Sequence, residues 1–124
     1  MTNLFLVMAG GAIGAGARYL FSTAFAARVN SDLPYATLSI NIVGGLLMGL
    51  LVGFVARGGM EPVRLFIGVG LLGGFTTFSA FSLESFAMIE RGQIGLAVGY
   101  GAASLIGSII ALAIGLSFAR AVTP

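Results

Sequence analysis

The sequence predicts an all-α membrane protein: four transmembrane helices, the third broken mid-membrane, paired as an antiparallel dual-topology homodimer. Three observations predict it. Four apolar stretches, each long enough to cross a bilayer, fill nearly all of the 124 residues, of which 58% are hydrophobic and 8% charged. With a mean hydropathy of +1.08, no soluble core of this size could bury so much apolar surface. The third stretch contains Gly73-Gly74-Phe75-Thr76-Thr77, a composition that opposes a continuous helix. Finally, the arginines divide almost evenly between the two sides of the membrane that four spans would define, so nothing fixes one orientation.

Composition also excludes. Cysteine and histidine are absent, which removes disulfides, thiolate or imidazole metal sites and catalysis by either residue. The net charge of +2 comes from scattered arginines without a lysine, so no basic patch for nucleic acid exists. No nucleophile–base pair is readable, and an enzyme is not expected. Ala24-Phe25-Ala26 imitates a signal cleavage site, but nothing basic precedes Leu4 and the apolar run carries Arg18. The first stretch therefore reads as a retained membrane helix.

The chain reads as one domain, 1–124, with spans at about 4–27, 35–56, 63–89 and 94–119. The first opens apolar and turns small, with Gly10-x-x-x-Gly14 as a face for close helix approach. Arg18 follows inside the span, where an arginine is a candidate for a functional vestibule rather than a snorkelling anchor. A short polar turn to Pro34 leads into the second span. There Gly45, Gly49 and Gly53 form a second small stripe, while Thr37 and Asn41 share a face. An asparagine inside a span needs partners for its amide. Those partners are either another helix or something passing by.

Residues 57–62, with Gly58-Gly59 and Pro62, form the next loop. The third span carries the break, placed near 73–79. Two glycines weaken the helix by roughly 1 kcal/mol each, and the threonine hydroxyls compete for backbone bonds. Such a break survives in a membrane only when buried in protein or lining a polar cavity. Beyond it, Phe78 and Phe81 share a helix face, and Glu84 is the only carboxylate well inside a span. The fourth span carries a small-residue stripe, Gly95, Gly99, Ala103, Gly107, Ala111 and Gly115. One position away runs a row of hydroxyls, Tyr100, Ser104 and Ser108.

Arg57, Arg64 and Arg120 fall on one side of the membrane, Arg28 and Arg91 on the other. Two oppositely inserted copies would form an inverted pair with a two-fold axis in the membrane plane. The polar groups within the spans lean towards donors, and phenylalanine edges are electropositive. Backbone carbonyls opened at the break suit a hard cation. Together they point to a small-ion pathway, anionic, with a cation site at the break.

Four motifs on four spans resemble the Fluc/CrcB family of bacterial fluoride channels along essentially the whole chain. They are Gly10-Gly11-Ala12-Ile13-Gly14-Ala15 with Arg18-Tyr19, and Thr37-Leu38-Ser39-Ile40-Asn41-Ile42-Val43-Gly44. Gly73-Gly74-Phe75-Thr76-Thr77-Phe78-Ser79-Ala80-Phe81 follows, then Tyr100 with its serines. The resemblance implies a dual-topology homodimer in the bacterial inner membrane, passing fluoride passively out of the cytoplasm and conferring fluoride resistance. Phe78 and Phe81 look like the family's pore phenylalanines, Asn41 like its pore asparagine and Arg18 like its vestibule arginine. Tyr100, Ser104 and Ser108 look like its polar track, and Thr37 and Ser79 join the same expected pathway. The backbone carbonyls of Gly73 and Thr76 look like ligands of a structural sodium ion (Na+) shared between subunits. Ala80 departs from the many members that carry Thr or Ser there, so one pore hydroxyl is missing. The competing reading, a proton-coupled small multidrug exporter, needs a membrane carboxylate for proton exchange. Here the first span has no acid, tryptophan is absent, and Glu84 lies on the broken helix.

Overall fold

Stretches of twenty or more mostly apolar residues leave the backbone little water to bond with, so the chain satisfies itself as helix. The computed structural model describes residues 1–123. Helix α1 spans Thr2–Ala26 and α2 spans Tyr35–Val55. The short α3 (Glu61–Val63) runs into a π-helical stretch, Arg64–Leu72, and then α4 (Gly73–Phe75). After Thr76 and Thr77 come α5 (Phe78–Glu90) and α6 (Ile94–Val122). Taking α3 to α5 as one unit, four helices are long and apolar enough to cross a membrane.

Local chemistry sets the ends. Pro62, expected as a loop breaker, sits instead in the first turn of α3. There its missing N–H has no helical acceptor to lose. Gly58 and Gly59 take φ values of 101° and 82° in the turn before it. Helix α5 closes on Gly92, at φ 76°. The Gln93 amide reaches the Met88 carbonyl at 2.8 Å and the Gly92 amide that of Ile89 at 3.0 Å. That paired closure needs a left-handed residue, and glycine adopts it without strain.

The two small stripes find separate partners. Gly10 and Gly14 lie against the backbone of Phe66 and Leu71, seating α1 on the third span. Gly45, Gly49 and Gly53 face Ser108, Leu112 and Ala119, and Gly115 returns the contact at Leu46. The α2–α6 pair is the most extensive in the bundle. Close backbone approach of this kind supplies the dispersion energy that holds helices together in lipid. Met88, Ala97 and Tyr100 form the buried cluster, with Leu33, Leu38, Phe81 and Leu96 around it. The fourth-span stripe splits: Gly107 meets Ile42, but Gly95 and Gly99 meet no side chain or neighbouring helix among the described residues.

Candidate functional site

The helix stops after Phe75 because Thr76 and Thr77 take extended backbone, at φ/ψ of −78°/157° and −150°/120°. β-Branched residues favour that region. Thr77 then caps the next helix, its hydroxyl accepting from the Ala80 amide at 3.1 Å. Residue 80 is the position from which a Glu or Gln could bond back to the cap's own amide. Ala80 cannot, and the Thr77 amide goes to Asn41 Oδ1 at 2.9 Å. Asn41 Nδ2 in turn donates to the Thr77 carbonyl at 3.1 Å. From α1, Arg18 Nε donates to the Gly74 carbonyl at 3.2 Å.

This chain of turns opens a groove of about 480 Å³ between the break and α6. Asn41, Phe78, Phe81, Ser104 and Ser108 all line it, so five of the expected pathway residues come together. Ser104 is only 9% exposed, yet its hydroxyl has no hydrogen-bond partner among the described residues. A buried hydroxyl left unpaired costs about 1–3 kcal/mol. Ser79 does not line the groove but is exposed, its hydroxyl 3.3 Å from that of Thr77.

A ladder of rings leads inward from this groove. Phe78 and Phe81 lie 5.6 Å apart between centroids, Phe81 and Tyr100 5.0 Å. Exposure falls along it from 79% at Phe78 to 1% at Tyr100. At its inner end stands Glu84, whose role the residue pattern left open. Its Oε1 accepts from Thr37 and its Oε2 from Tyr100, both at 2.7 Å. Bonds this short are typical of hydroxyls donating to a carboxylate. Thr37 and Tyr100, expected among the pathway donors, thus spend their protons on Glu84. On its far side Glu84 and Thr37 line a second cavity of about 300 Å³, with Ser22, Phe25 and Pro34 at its wall. The hydrogen-bonded carboxylate thus stands between the inner end of the ring ladder and this second cavity. Arg18 and Glu84 do not pair. Among the described residues the one ion pair is Arg64–Glu61, at 2.7 Å.

The groove has a second row on α6 that the hydroxyl pattern hides: Gly101, Leu105 and Ile109. These are also four residues apart, one position beyond Tyr100, Ser104 and Ser108. Their spacing was readable, but apolar residues in a membrane helix carry no mark of what they face.

The family model described as CrcB-like protein, Camphor Resistance (CrcB), matches residues 5–116. A Sphingopyxis alaskensis protein named fluoride-specific ion channel FluC is 52% identical, over 97% of this chain and 97% of its own. Proteins of the same name from Mesorhizobium japonicum and Novosphingobium aromaticivorans are 51% and 50% identical. Those alignments cover 97% and 98% of this chain, and 98% and 99% of theirs. With the family model spanning all four helices and half-identical relatives aligned end to end, the chain belongs to the CrcB-like family of fluoride-channel proteins.

Proposed function

We propose that this chain is a fluoride-selective ion channel of the bacterial cytoplasmic membrane, passing fluoride outward passively. The observation that carries the reading is the groove beside the break, with its unpaired buried Ser104 hydroxyl, in a chain half-identical to relatives named fluoride-specific ion channel. The proposed pathway comprises Asn41, Phe78, Phe81, Tyr100, Ser104, Ser108, Thr37, Ser79 and Arg18. A fluoride ion losing water there meets the edges of the phenylalanine rings and then the serine hydroxyls.

The break is proposed to sit at membrane depth, and the working unit to be an antiparallel dual-topology homodimer. In support, Phe78 stands 79% exposed on the chain's own surface, so this groove has one wall and a second copy would supply the other. A structural sodium ion fits the donor chemistry. The amides four residues beyond Gly73 and Thr76 bond instead to Asn41 Oδ1 and Thr77 Oγ1. Both carbonyls are thereby released, and carbonyl oxygens suit a hard cation. Gly73 and Thr76 of each copy would hold it, and the ion would neutralise their crowded dipoles.

The test is efflux from liposomes loaded with potassium fluoride, valinomycin carrying the balancing potassium and a fluoride electrode following release. Rapid fluoride release beside silent chloride is expected. Equal chloride release, or no release of either, would refute the channel. Uptake of an aromatic cation driven by a proton gradient would favour the exporter.

A further inference from the structure

A helix broken inside a membrane strands backbone groups, and here their new partners can be followed bond by bond. The Leu72 carbonyl keeps a helical bond from the Thr76 amide at 2.9 Å and gains the Thr76 hydroxyl, also at 2.9 Å. The Gly74 carbonyl would face the Phe78 amide in a continuous helix. Instead it takes Arg18 Nε. Both polar atoms of Thr77's own backbone go to the single side-chain amide of Asn41. That two-point pairing mimics one rung of a β-ladder, and among side chains of this length only asparagine offers donor and acceptor together.

Neither set of bonds is needed to hold an anion, for which the N–H groups alone would serve. Asn41 has committed its oxygen and one of its two N–H groups to Thr77, leaving a single N–H. Arg18, if it served only as a positive charge, would have no need of an Nε bond to a carbonyl. Both side chains grip main-chain atoms at the break, Arg18 from α1 at Gly74 just before the extended pair and Asn41 from α2 at Thr77 within it. The direction in which α5 leaves the break, and with it the position of Phe78, follows from that grip.

We propose that Asn41 and Arg18 are positioning residues, which act on the passing ion through the Thr77 and Gly74 backbone by setting the path of α5. This rests on the channel reading for its conduction arm alone. Two variants separate geometry from charge and polarity: Asn41→Leu keeps side-chain size and loses both bonds, while Arg18→Lys keeps the charge and loses the fixed Nε. Each full-length protein is reconstituted in liposomes and read twice. Solid-state NMR follows Thr77 amide exchange and the Phe78 ring signals, and the electrode follows fluoride efflux.

In Asn41→Leu the Thr77 amide should exchange about tenfold faster, the scale of one lost hydrogen bond, with shifted Phe78 signals and efflux lowered by a similar factor. Arg18→Lys should also shift Phe78 and lower efflux although its charge is intact. Unchanged Thr77 and Phe78 signals beside reduced efflux would overturn the proposal, since the side chains would then be meeting the ion themselves. So would wild-type conduction by Arg18→Lys. If Asn41→Leu fails to fold, an ester replacing the Thr76–Thr77 amide removes the same N–H with Asn41 in place. It must reproduce the Phe78 shift, and an unshifted Phe78 sinks the idea. A wild-type protein that moves no fluoride would defeat the channel reading, while the NMR comparison still decides the brace.

Discussion

Gly45→Ala puts the α2–α6 seam to a direct test. A methyl group at Gly45 would lie 2.7 Å from the Ser108 carbonyl oxygen and 3.4 Å from its carbon. Carbon–oxygen contacts settle at about 3.3 Å or more, so the helices must part by about 0.6 Å. The obstacle is backbone, which cannot swing aside as a side chain tip does. A gap of that size forfeits roughly a quarter to a half of the dispersion energy of each contact it opens. The neighbouring approaches, Gly49 to Leu112 and Gly115 to Leu46, lie on the same seam and loosen with it. Overpacking of this kind costs about 1–3 kcal/mol, and alanine's better helix propensity returns about 1 kcal/mol. A net loss of up to about 2 kcal/mol is therefore expected, against a gain of about 1 kcal/mol at an uncrowded position. The chain has no tryptophan, so helix content by circular dichroism in mixed micelles is the measure of unfolding. Fluoride efflux should slow in parallel, because Ser108 also lines the groove. Gly16→Ala is the control, since a methyl there meets no side chain or other helix within 4 Å. If Gly45→Ala unfolds no sooner than this control, the close-approach argument is wrong.

Thr37→Val and Tyr100→Phe each remove a 2.7 Å donor from Glu84, and each should cost about 1.5–3 kcal/mol in the same unfolding assay. Because both donors serve one carboxylate, the double variant should depart from the sum by about 0.5–3 kcal/mol. Strict additivity would mean that the hydroxyls do not share Glu84. Thr77→Val keeps the β-branched preference for extended backbone but loses the bond to the Ala80 amide. About 1 kcal/mol of stability should go with it and return in Thr77→Ser. A serine variant no better than valine would show that the hydroxyl is not the cap.

Much of the fold was legible because small residues four apart can serve one purpose in a membrane helix. Gly10 and Gly14, and Gly45, Gly49 and Gly53, all lie in seams. Which helix each stripe meets was not legible, since a stripe of hydrogens carries no partner's identity. The fourth-span row shows the limit: its last members pack on α2, while Gly95 and Gly99 meet no side chain or other helix among the described residues. Asn41 was half legible. That its amide needs partners follows from burial cost, but Thr77 lies 36 positions away and only the fold brings it near. Glu84 was the least legible, because its donors stand 47 and 16 residues off on two different helices. A lone acid in a span announces a cost without saying who meets it. The π-helical stretch at Arg64–Leu72 follows from no periodicity in its residues.

The carboxylate bound on both sides has a bearing on how the protein is made. A chain synthesised from its N-terminus delivers Glu84 to the membrane before Tyr100 exists. At that stage Thr37 is already available on α2, but one carboxylate oxygen has no donor. An acidic side chain costs up to about 2.5–3.5 kcal/mol in an inserting helix, the value at its centre, and α5 adds Ser79, Ser82 and Ser85 to that load. Entry of the last span supplies the missing hydroxyl and covers the acid in one event. The second half of the third helix is thereby tied to the fourth in time as well as in space.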